Sequence, residues 1–309
     1  MQRVLVTGAA GFVGRRVVAD LRARAVEVVA TSRAPGPGLT AIGTVSSQND
    51  WRPLLEGCDG VVHLLARVHR GGSGSDADYL ADNRDITGRL ARDAAAAGVR
   101  RLVFVSSIKV HGDTSAPGTA FRPEDLPAPA DAYGRSKLAA ERALGAVAAE
   151  TGLETVVVRP PLVYGPGARA NFEQLIRLVA LGLPLPFARL ANRRSLVGLG
   201  NLSDFLVTCL DHPKAAGETL LVSDGVPLPL PDLLRAIGRA LGRPARLFGL
   251  DPGLVRALLR LAGGPGLADR VAGDLVVDGT KAHVLLGWQP PFTLEQELAA
   301  TVAARGRGS

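Results

Sequence analysis

Thr7-Gly8-Ala9-Ala10-Gly11-Phe12-Val13-Gly14 is the stretch of this 309-residue sequence that says most about its fold. It follows an apolar run at residues 4–7 and opens an amphipathic stretch at residues 12–21, so a strand, a tight turn and a helix are expected. Gly8 permits the turn, Gly11 lets the backbone approach a pyrophosphate, and Gly14 lets helix and strand pack closely. The helix N-terminus favours phosphate, and a turn without ligand is the alternative. The predicted cofactor contacts are Gly8, Gly11, Phe12, Val13 and Gly14.

Apolar runs and helical patterns alternate through the first half of the chain. The runs, several rich in valine, are residues 4–7, 27–30, 60–65, 102–106 and 155–158, and helical patterns lie between them at 12–21, 79–97 and 133–151. Apolar runs without polar alternation are typical of strands covered on both faces, hence of a parallel sheet with crossover helices. The sequence therefore predicts an α/β fold built on a Rossmann-type doubly wound parallel sheet.

The amino-acid composition of the sequence changes after Arg159. Proline and glycine become frequent, as in Pro160-Pro161 and Gly165-Pro166-Gly167, and the elements become shorter. We predict a nucleotide-binding domain at residues 1–160 and a smaller C-terminal substrate-binding lobe at residues 161–309, with some chain returning to the sheet. The Gly-rich loop at residues 70–78 is expected to be mobile and to lie over a site.

Composition excludes several classes of protein. The apolar fraction of 47% supports a sizeable core, and 36 Lys+Arg against 29 Asp+Glu give a net charge of +7. Because the arginines are scattered and aromatics make up only 4% of residues, nucleic-acid binding is disfavoured. Cys58 and Cys209 have no neighbours at metal spacing and are expected to be small buried residues, so neither a metal site nor a disulfide is predicted. With neither a signal-peptide pattern nor a membrane-spanning run, we expect a soluble cytoplasmic protein without membrane insertion.

The end of the second predicted strand bears on the choice of cofactor. NAD enzymes usually place Asp or Glu there, to bond the ribose 2′-hydroxyl. This chain has Ser32 and Arg33, which could hold a 2′-phosphate instead. The sequence therefore favours NADP over NAD. The alternative is that Arg33 is a solvated charge or stacks on the adenine.

Tyr133 and Lys137 are the candidate catalytic pair. Their spacing of four residues puts them on one helix face, where an ammonium favours phenolate and lowers the phenol pKa. Ser106 and Ser107 directly follow the predicted strand at residues 102–105. In this architecture, ligands bind at the carboxyl ends of the strands. A hydroxyl there could hold a substrate oxygen while Tyr133 moves its proton. An ordinary amphipathic helix is the alternative interpretation of the Tyr–Lys spacing alone.

Several segments together resemble the extended short-chain dehydrogenase/reductases, specifically the NAD-dependent epimerase/dehydratase group that acts on nucleotide sugars. The resemblance covers essentially the whole chain and is carried by residues 7–14, His63-Leu64-Leu65-Ala66, and residues 105–112, 133–137, 159–167 and 192–197. It is most specific for bacterial 4-epimerases and 4-keto-reductases of surface-polysaccharide synthesis. It implies an NAD(P)-dependent enzyme whose substrate is a nucleotide-diphosphate sugar, with UDP as the expected nucleotide.

The same resemblance assigns roles to individual residues. It makes Tyr133 the acid/base, Lys137 its modulator and Ser107 the third catalytic residue, while Asn83 steadies the active-site strand. Ala66, Asn83, Tyr133 and Lys137 join the cofactor contacts, and the lysine ammonium can bond the nicotinamide ribose. Substrate contacts are assigned to Ser107, Lys109, Asn171, Phe172, Arg194 and Arg270. The two arginines would bind the diphosphate, since a guanidinium suits bidentate phosphate recognition. A solvated surface charge is the alternative for Lys109, Arg194 and Arg270.

The resemblance leaves the reaction open. A 4,6-dehydratase is disfavoured because the positions after the strand, Ser107 and Ile108, carry no carboxylate. A 4-keto-reductase is favoured by the missing acid at residues 32–33, and a 4-epimerase that keeps NAD bound is the alternative. A non-catalytic NAD(P)-binding sensor or scaffold is a third hypothesis, which the intact Ser-Tyr-Lys set disfavours. Relatives are often homodimers through the helices near residues 83–97 and 133–150, so a homodimer is expected.

Overall fold

A computed structural model describes residues 1–67, 75–168 and 171–306, apart from the side chains of Asn171 and Gly306. The Gly-rich loop expected at residues 70–78 lies partly outside the described residues, as do residues 307–309 of the tail. The strands are β1 (Arg3–Thr7), β2 (Glu27–Ser32), β3 (Thr40–Ala41), β4 (Gly60–His63), β5 (Arg101–Val105), β6 (Glu154–Arg159), β7 (Leu162–Tyr164), β8 (Arg193–Arg194), β9 (Leu196–Gly198), β10 (Thr219–Leu221) and β11 (Leu228–Pro229).

Helices connect these strands and cover the main sheet. They are α1 (Phe12–Ala23), α2 (Arg52–Leu55), α3 (Asp76–Tyr79), α4 (Ile86–Ala96), α5 (Ala132–Thr151), α6 (Asn171–Ala180), α7 (Leu199–Asp211), α8 (Leu230–Ala240), α9 (Pro252–Ala272), α10 (Thr280–Leu286) and α11 (Leu294–Gly306). A π-helical turn, Leu80–Asp85, separates α3 from α4, and a 3₁₀ turn, Ile108–Val110, follows β5.

The main sheet has seven parallel strands in the order β10-β6-β5-β4-β1-β2-β3. The chain runs outward from β1 to β3 and then crosses to β4 on the other side of β1, which creates the switch point where such sheets bind ligands. The predicted doubly wound α/β fold is confirmed. Strand β10 returns to the sheet beside β6 from beyond residue 160.

Alternation of side chains in the strands divides the sheet core between two faces. Val4 and Val6 of β1 face a cluster with α1, α7 and α10, whereas Leu5 faces a cluster with α2, α4 and α5. Because both faces are covered, strand residues are apolar at consecutive positions. Cys209 lies in the first cluster and Cys58 in the second, and both are free and buried, as predicted.

The C-terminal lobe has its own apolar cluster. Residues of α6, α8, β9 and the first half of α9 pack around Tyr164 and Phe172. Helix α9 is kinked at Gly263 and Gly264, where a φ of +73° at Gly264 is a conformation that glycine adopts without strain. Among the described residues, no helix is long and apolar enough to cross a bilayer.

Candidate active site

The glycine loop between β1 and α1 leaves almost no room for side chains. Gly8 has a φ of +70°, and a Cβ on Gly14 would lie 2.3 Å from the Gly8 carbonyl oxygen and 2.7 Å from the Ala9 Cα. Gly11 caps α1 without a side-chain hydrogen bond, and its own N–H bonds the Gly8 carbonyl at 2.9 Å. The N–H groups of Phe12 and Val13 therefore begin a helix that no side chain caps. This bare, positively polarised helix end at the sheet switch point fits a dinucleotide pyrophosphate.

The end of β2 gives only partial support to the prediction of a 2′-phosphate site. The Ser32 hydroxyl is buried and donates to the carbonyl of Ala34, so it is engaged by its own chain. Arg33 is exposed at the sheet end. Of the two predicted groups, only the Arg33 guanidinium is therefore available to bind a 2′-phosphate. Neither residue 32 nor residue 33 offers a carboxylate that could bind a ribose hydroxyl.

Tyr133, Ser107 and Lys137 meet at the carboxyl end of β5. Asp131 caps α5 through a 2.7 Å hydrogen bond from the Gly134 N–H, which starts the helix just before Tyr133. The Ser107 hydroxyl lies close enough to the Tyr133 phenol to lower its pKa. Lys137 is one turn further along α5 and buried. The structure thus brings the three predicted catalytic residues together.

The Lys137 ammonium has partners other than the phenol. Its Nζ donates to the Val105 carbonyl at 2.8 Å and lies 4.5 Å from the centre of the Phe104 ring. Burial lowers the pKa of Lys137 to about 7, although the nearby Glu141 carboxylate raises it. The lysine is therefore poised between its charged and neutral forms near neutral pH.

The direction of the Tyr133 pKa shift differs from the sequence prediction. Burial raises the pKa of Tyr133 to about 12, against the hydrogen bond from Ser107, which lowers it. The predicted lowering by Lys137 is wrong for this arrangement, because the ammonium is directed to Val105 and loss of water disfavours the phenolate. A positive charge brought in by a ligand would be needed to shift the pKa downward.

Asn83 is buried in the π-helical turn and joins three parts of the site. Its Nδ2 donates to the Ser136 hydroxyl at 2.8 Å and to the Arg67 carbonyl at 3.1 Å, while its Oδ1 accepts from the Arg67 N–H at 2.8 Å. The Ser136 hydroxyl in turn donates to the Tyr133 carbonyl at 2.8 Å. Asn83 therefore ties the segment after β4, which includes Ala66, to the start of the catalytic helix. π-Helical turns are frequent at functional sites.

A buried hydrogen-bonded chain runs from the glycine loop to Asn83 through His63. The Thr7 hydroxyl accepts from the Leu64 and Leu65 N–H groups, so its proton goes to His63 Nδ1, 2.7 Å away. Beyond the ring, the Thr87 hydroxyl donates to the Asn83 carbonyl and accepts from His63 Nε2 at 3.0 Å. These partners require the neutral ring protonated at Nε2, in agreement with burial and Lys137 lowering the pKa of His63 to about 3.

A second buried network supports the other side of α5. Glu141 lies one turn after Lys137, accepts from the Ser106 hydroxyl and forms a two-pronged ion pair with Arg159, with N–O distances of 3.0 and 2.6 Å. Both charged side chains are buried, being 7% and 8% exposed. Arg159 also donates to His111 Nε2 at 2.8 Å. Burial and Arg159 lower the pKa of His111 to about 4, so this loop histidine is neutral.

The predicted sugar contact Lys109 is held by two carboxylates. Its Nζ lies 2.5 Å from Asp131 and 2.9 Å from Asp113. Burial opposes the charge, but these ion pairs outweigh it and raise the pKa of Lys109. Because Asp131 also caps α5, Lys109 is tied to the start of the catalytic helix, and its contact with a substrate stays a prediction.

The predicted substrate contacts in the lobe lie in two places. Phe172 is fully buried and packs on Tyr164 at a ring distance of 5.1 Å, so its ring anchors α6; the side chain of Asn171 lies outside the described residues. Arg194 donates to the carbonyls of Asp269 and Gly273 at 3.3 and 3.1 Å, and burial lowers its pKa. Arg270 is exposed in the segment that Arg194 contacts. The structure thus brings the two arginines to one region of the lobe.

Sequence reasoning missed Glu141 and the role of His63. Glu141 could have been found from its position, since residues 133, 137 and 141 follow one helix face at intervals of four. His63 could not, because its partners come from β1 and α4 and only the sheet brings them together. Among the described residues, no group of three or more potential ligands forms a metal site.

Comparisons with known proteins identify the family of this chain. The chain is 38% identical over 312 residues to the UDP-glucose 4-epimerase of Vibrio cholerae, covering 97% of this chain and 94% of that protein. It is 27% identical to the N-acetyl-alpha-D-glucosaminyl-diphospho-ditrans,octacis-undecaprenol 4-epimerase of Escherichia coli O157:H7, covering 97% and 94%. The structure of MoeE5 with UDP-glucuronic acid and NAD matches with a TM-score of 0.79 and 27% identity, covering 99% and 100%. Residues 4–222 match the family described as NAD dependent epimerase/dehydratase, and the chain is an enzyme that belongs to this family.

Proposed function

We propose that this enzyme is an NAD-dependent 4-epimerase of a UDP-hexose. The observation that carries the proposal is the meeting of Ser107, Tyr133 and Lys137 at the end of β5, together with a glycine loop that leaves no room for side chains. Such an arrangement would supply a proton-transfer group and a hydrogen-bond donor to an alcohol carbon that faces a nicotinamide. Similarity to a UDP-glucose 4-epimerase over nearly the whole chain supports the choice of carbon and nucleotide.

Tyr133 moves the proton in this reaction. As phenolate it accepts the proton of the C4 hydroxyl, and as phenol it returns the proton after the sugar has turned over. Ser107 donates a hydrogen bond to the C4 oxygen and so orients it toward Tyr133. When bound, NAD supplies a hydride acceptor and a positive charge that favours the phenolate. Lys137, whose Nζ donates to Val105 in this structure, would donate to the nicotinamide ribose when the cofactor is bound.

Two features of the lobe support a nucleotide diphosphate as the anchored part of the substrate. The hydrogen bonds from Arg194 to Asp269 and Gly273 go to uncharged carbonyls, and a partly buried guanidinium gains more from an anion. Arg270 lies within the segment that Arg194 contacts and is exposed. A diphosphate held there leaves the sugar free to rotate between two hydride transfers, as epimerisation requires.

The cofactor proposed is NAD rather than NADP. The Ser32 hydroxyl is engaged by Ala34, which removes one of the two groups on which the sequence prediction of NADP relied. An epimerase returns its hydride in each cycle and has no need of the phosphorylated, reducing cofactor. This proposal therefore reverses the order of preference that the sequence suggested.

A UDP-4-keto-sugar 4-reductase using NADPH is the second candidate. The exposed Arg33 at the end of β2, without an acid at residues 32–33, is the observation that favours it. A reductase would need only one hydride transfer to the keto-sugar and would release the oxidised cofactor. The Ser107, Tyr133 and Lys137 roles would be unchanged.

One experiment separates the two candidates. The purified protein is denatured and the released NAD(H) is measured; the intact protein is then offered UDP-glucose or UDP-N-acetylglucosamine alone, and a UDP-4-keto-6-deoxy sugar with NADPH. We expect stoichiometric NAD(H) and formation of the C4 epimer without added cofactor. Net NADPH consumption on the keto-sugar without epimerisation would overturn the proposal in favour of the reductase. An undecaprenol-linked sugar, offered in detergent, tests whether the carrier is a lipid instead of UDP.

Variants of two tyrosines test the catalytic assignment. Tyr133→Phe is expected to abolish turnover on every substrate while retaining NAD(H), because the loop that holds the cofactor is untouched. Tyr79→Phe removes a neighbouring buried phenol that has no assigned role, and it is expected to stay active. Turnover by Tyr133→Phe would reject both candidates and leave a non-catalytic or differently catalytic protein.

We also propose a homodimer across α4 and α5, which pack against each other along the sheet face. Light scattering on the full chain is expected to give twice the monomer mass of 32.1 kDa. A monomer at micromolar concentration would reject this assembly without affecting the proposed reaction.

A further inference from the structure

Exposed apolar side chains are concentrated on one part of the lobe. Ten large apolar side chains are exposed among the described residues, and six of them belong to the segment at 181–183, the segment before α9 and the first half of α9. We call these six the lobe patch: Leu181, Leu183, Phe248, Leu254, Leu258 and Leu261. Soluble surfaces scatter such residues singly, so a grouping of this kind marks an interaction surface.

Hydrogen bonds connect two parts of the lobe patch, the segment at residues 181–183 and the segment before α9. The Leu185 N–H donates to the Arg246 carbonyl at 2.8 Å, and the Phe248 N–H donates to the Leu185 carbonyl at 3.0 Å. Arg243 adds a 2.7 Å bond to the Ala180 carbonyl. The chain then enters α9 at Pro252. The patch is therefore built on a fixed scaffold.

The first half of α9 carries apolar side chains both on the face that packs against the protein and on the face exposed to solvent. Val255 and Leu259 pack into the lobe cluster. Leu254, Leu258 and Leu261 follow a separate stripe at helical spacing and are 50%, 47% and 86% exposed. A helix that needed only to cover the lobe would carry polar residues on this stripe.

The chain around the lobe patch is strongly basic. Residues 235–260 contain one acid, Asp251, and six arginines, at 235, 239, 243, 246, 256 and 260. The net charge of this segment is +5, against +7 for the whole chain. Two of its arginines, Arg235 and Arg239, form ion pairs with Asp232 and Glu295 outside the segment, so Arg243, Arg246, Arg256 and Arg260 carry the basic character next to the patch. Leucines combined with arginines and few acids are the composition of helices that lie at a bilayer surface, where each basic residue contributes about 1 kcal/mol of attraction to anionic lipid.

We propose that the lobe patch docks this enzyme on an anionic bilayer surface, with the leucines of α9 among the acyl chains and the arginines at the headgroups. A second copy of the chain is a poorer occupant, because a twofold interface pairs the same patch with itself and would bring two arginine-rich segments together. The docking goes beyond the proposed reaction and does not depend on it. It places the Asp269–Gly273 segment that Arg194 contacts, after the kink in α9, near the membrane.

Vesicle sedimentation tests the docking. The full chain is mixed at low salt with vesicles of phosphatidylcholine and phosphatidylglycerol, or of phosphatidylcholine alone. We expect it to pellet with the anionic vesicles only, and to be released by salt. Leu258→Glu combined with Leu261→Glu is expected to weaken binding at least about tenfold, because two leucines that enter the acyl region are replaced by charges that the lipid repels. Val284→Glu on α10, which is 74% exposed outside the patch, is the matched control and should bind normally.

Three results would overturn the docking. They are no sedimentation with anionic vesicles, equal sedimentation of the Leu258/Leu261 variant and the parent protein, and an oligomer of the parent in solution that this variant dissociates. The last would make the patch an interface between copies. Circular dichroism and turnover of the soluble substrate should be unchanged in the variant, so a loss of binding cannot be assigned to unfolding.

Discussion

Substitution of Lys137 by methionine should stabilise the cofactor-free enzyme at low pH while abolishing its activity. The pKa of Lys137 is lowered from 10.5 to about 7 by burial, against the attraction of Glu141. Between these two pH values the lysine is protonated in the unfolded chain but neutral in the folded one. The free energy of unfolding of the wild-type protein therefore rises with pH in this window. Below pH 7 the lysine is charged in both states, so folding carries the full free-energy cost of burying an ammonium.

The magnitude follows from the size of the pKa change. Burying the ammonium of Lys137 costs about 5 kcal/mol at pH 6 and about 2 kcal/mol at pH 9. Methionine removes this cost but also removes the hydrogen bond from the lysine amine to Val105, which contributes about 1 kcal/mol. The attraction between the ammonium and the Phe104 ring exists only in the charged form and is already contained in the pKa. We expect Lys137→Met to be about 4 kcal/mol more stable than wild type at pH 6 and about 1 kcal/mol more stable at pH 9. The difference of about 3 kcal/mol between the two pH values does not depend on the strength of the Val105 hydrogen bond.

Urea denaturation of NAD-free protein at pH 6 and pH 9, followed by circular dichroism, measures the two differences. Lys281→Met is the matched control: burial opposes its charge, but ion pairs with Glu218 and Glu124 outweigh this and raise the pKa of Lys281. That variant should gain no stability at pH 6. A Lys137→Met free-energy difference that is the same at both pH values would refute the claim that the folded enzyme buries a destabilised ammonium.

The remaining predictions concern the loop, the second network and the cofactor. Gly14→Ala should lose bound NAD(H), because its Cβ would lie 2.3 Å from the Gly8 carbonyl oxygen; released cofactor after denaturation is the readout. Glu141→Gln should lower the free energy of unfolding by about 3–5 kcal/mol, because it leaves the buried Arg159 without a counter-charge, and urea denaturation measures this. Arg33→Ala should leave NAD(H) content within about twofold of wild type, since the residue is exposed.

Each of these has a control or a contrary outcome. Gly145→Ala, at a helical glycine with nothing within 4 Å of an added Cβ, should keep its cofactor; normal NAD(H) in Gly14→Ala would contradict the packing argument. Arg177→Gln breaks an exposed ion pair with Glu173 and should lower the free energy of unfolding by about 1 kcal/mol or less. An equally small loss in Glu141→Gln would show that water replaces the carboxylate as the partner of Arg159. Loss of NAD(H) in Arg33→Ala would show instead that Arg33 contacts the bound cofactor, as stacking on the adenine requires.

The sequence by itself predicted the sheet, the glycine loop and the Tyr133–Lys137 pair, because each depends on local order: an apolar run, a turn, a helix and a spacing of four. Ser107 was singled out from the strand-end serines by the family resemblance. The tertiary structure alone decided how these parts are held. The Thr7–His63 and Asn83–Ser136 bonds join residues 56 and 53 positions apart. Whether such groups meet depends on which strands are neighbours and on how far each helix is shifted along the sheet. The same applies to charge: burial, which no spacing reveals, lowers the pKa of Lys137 to about 7.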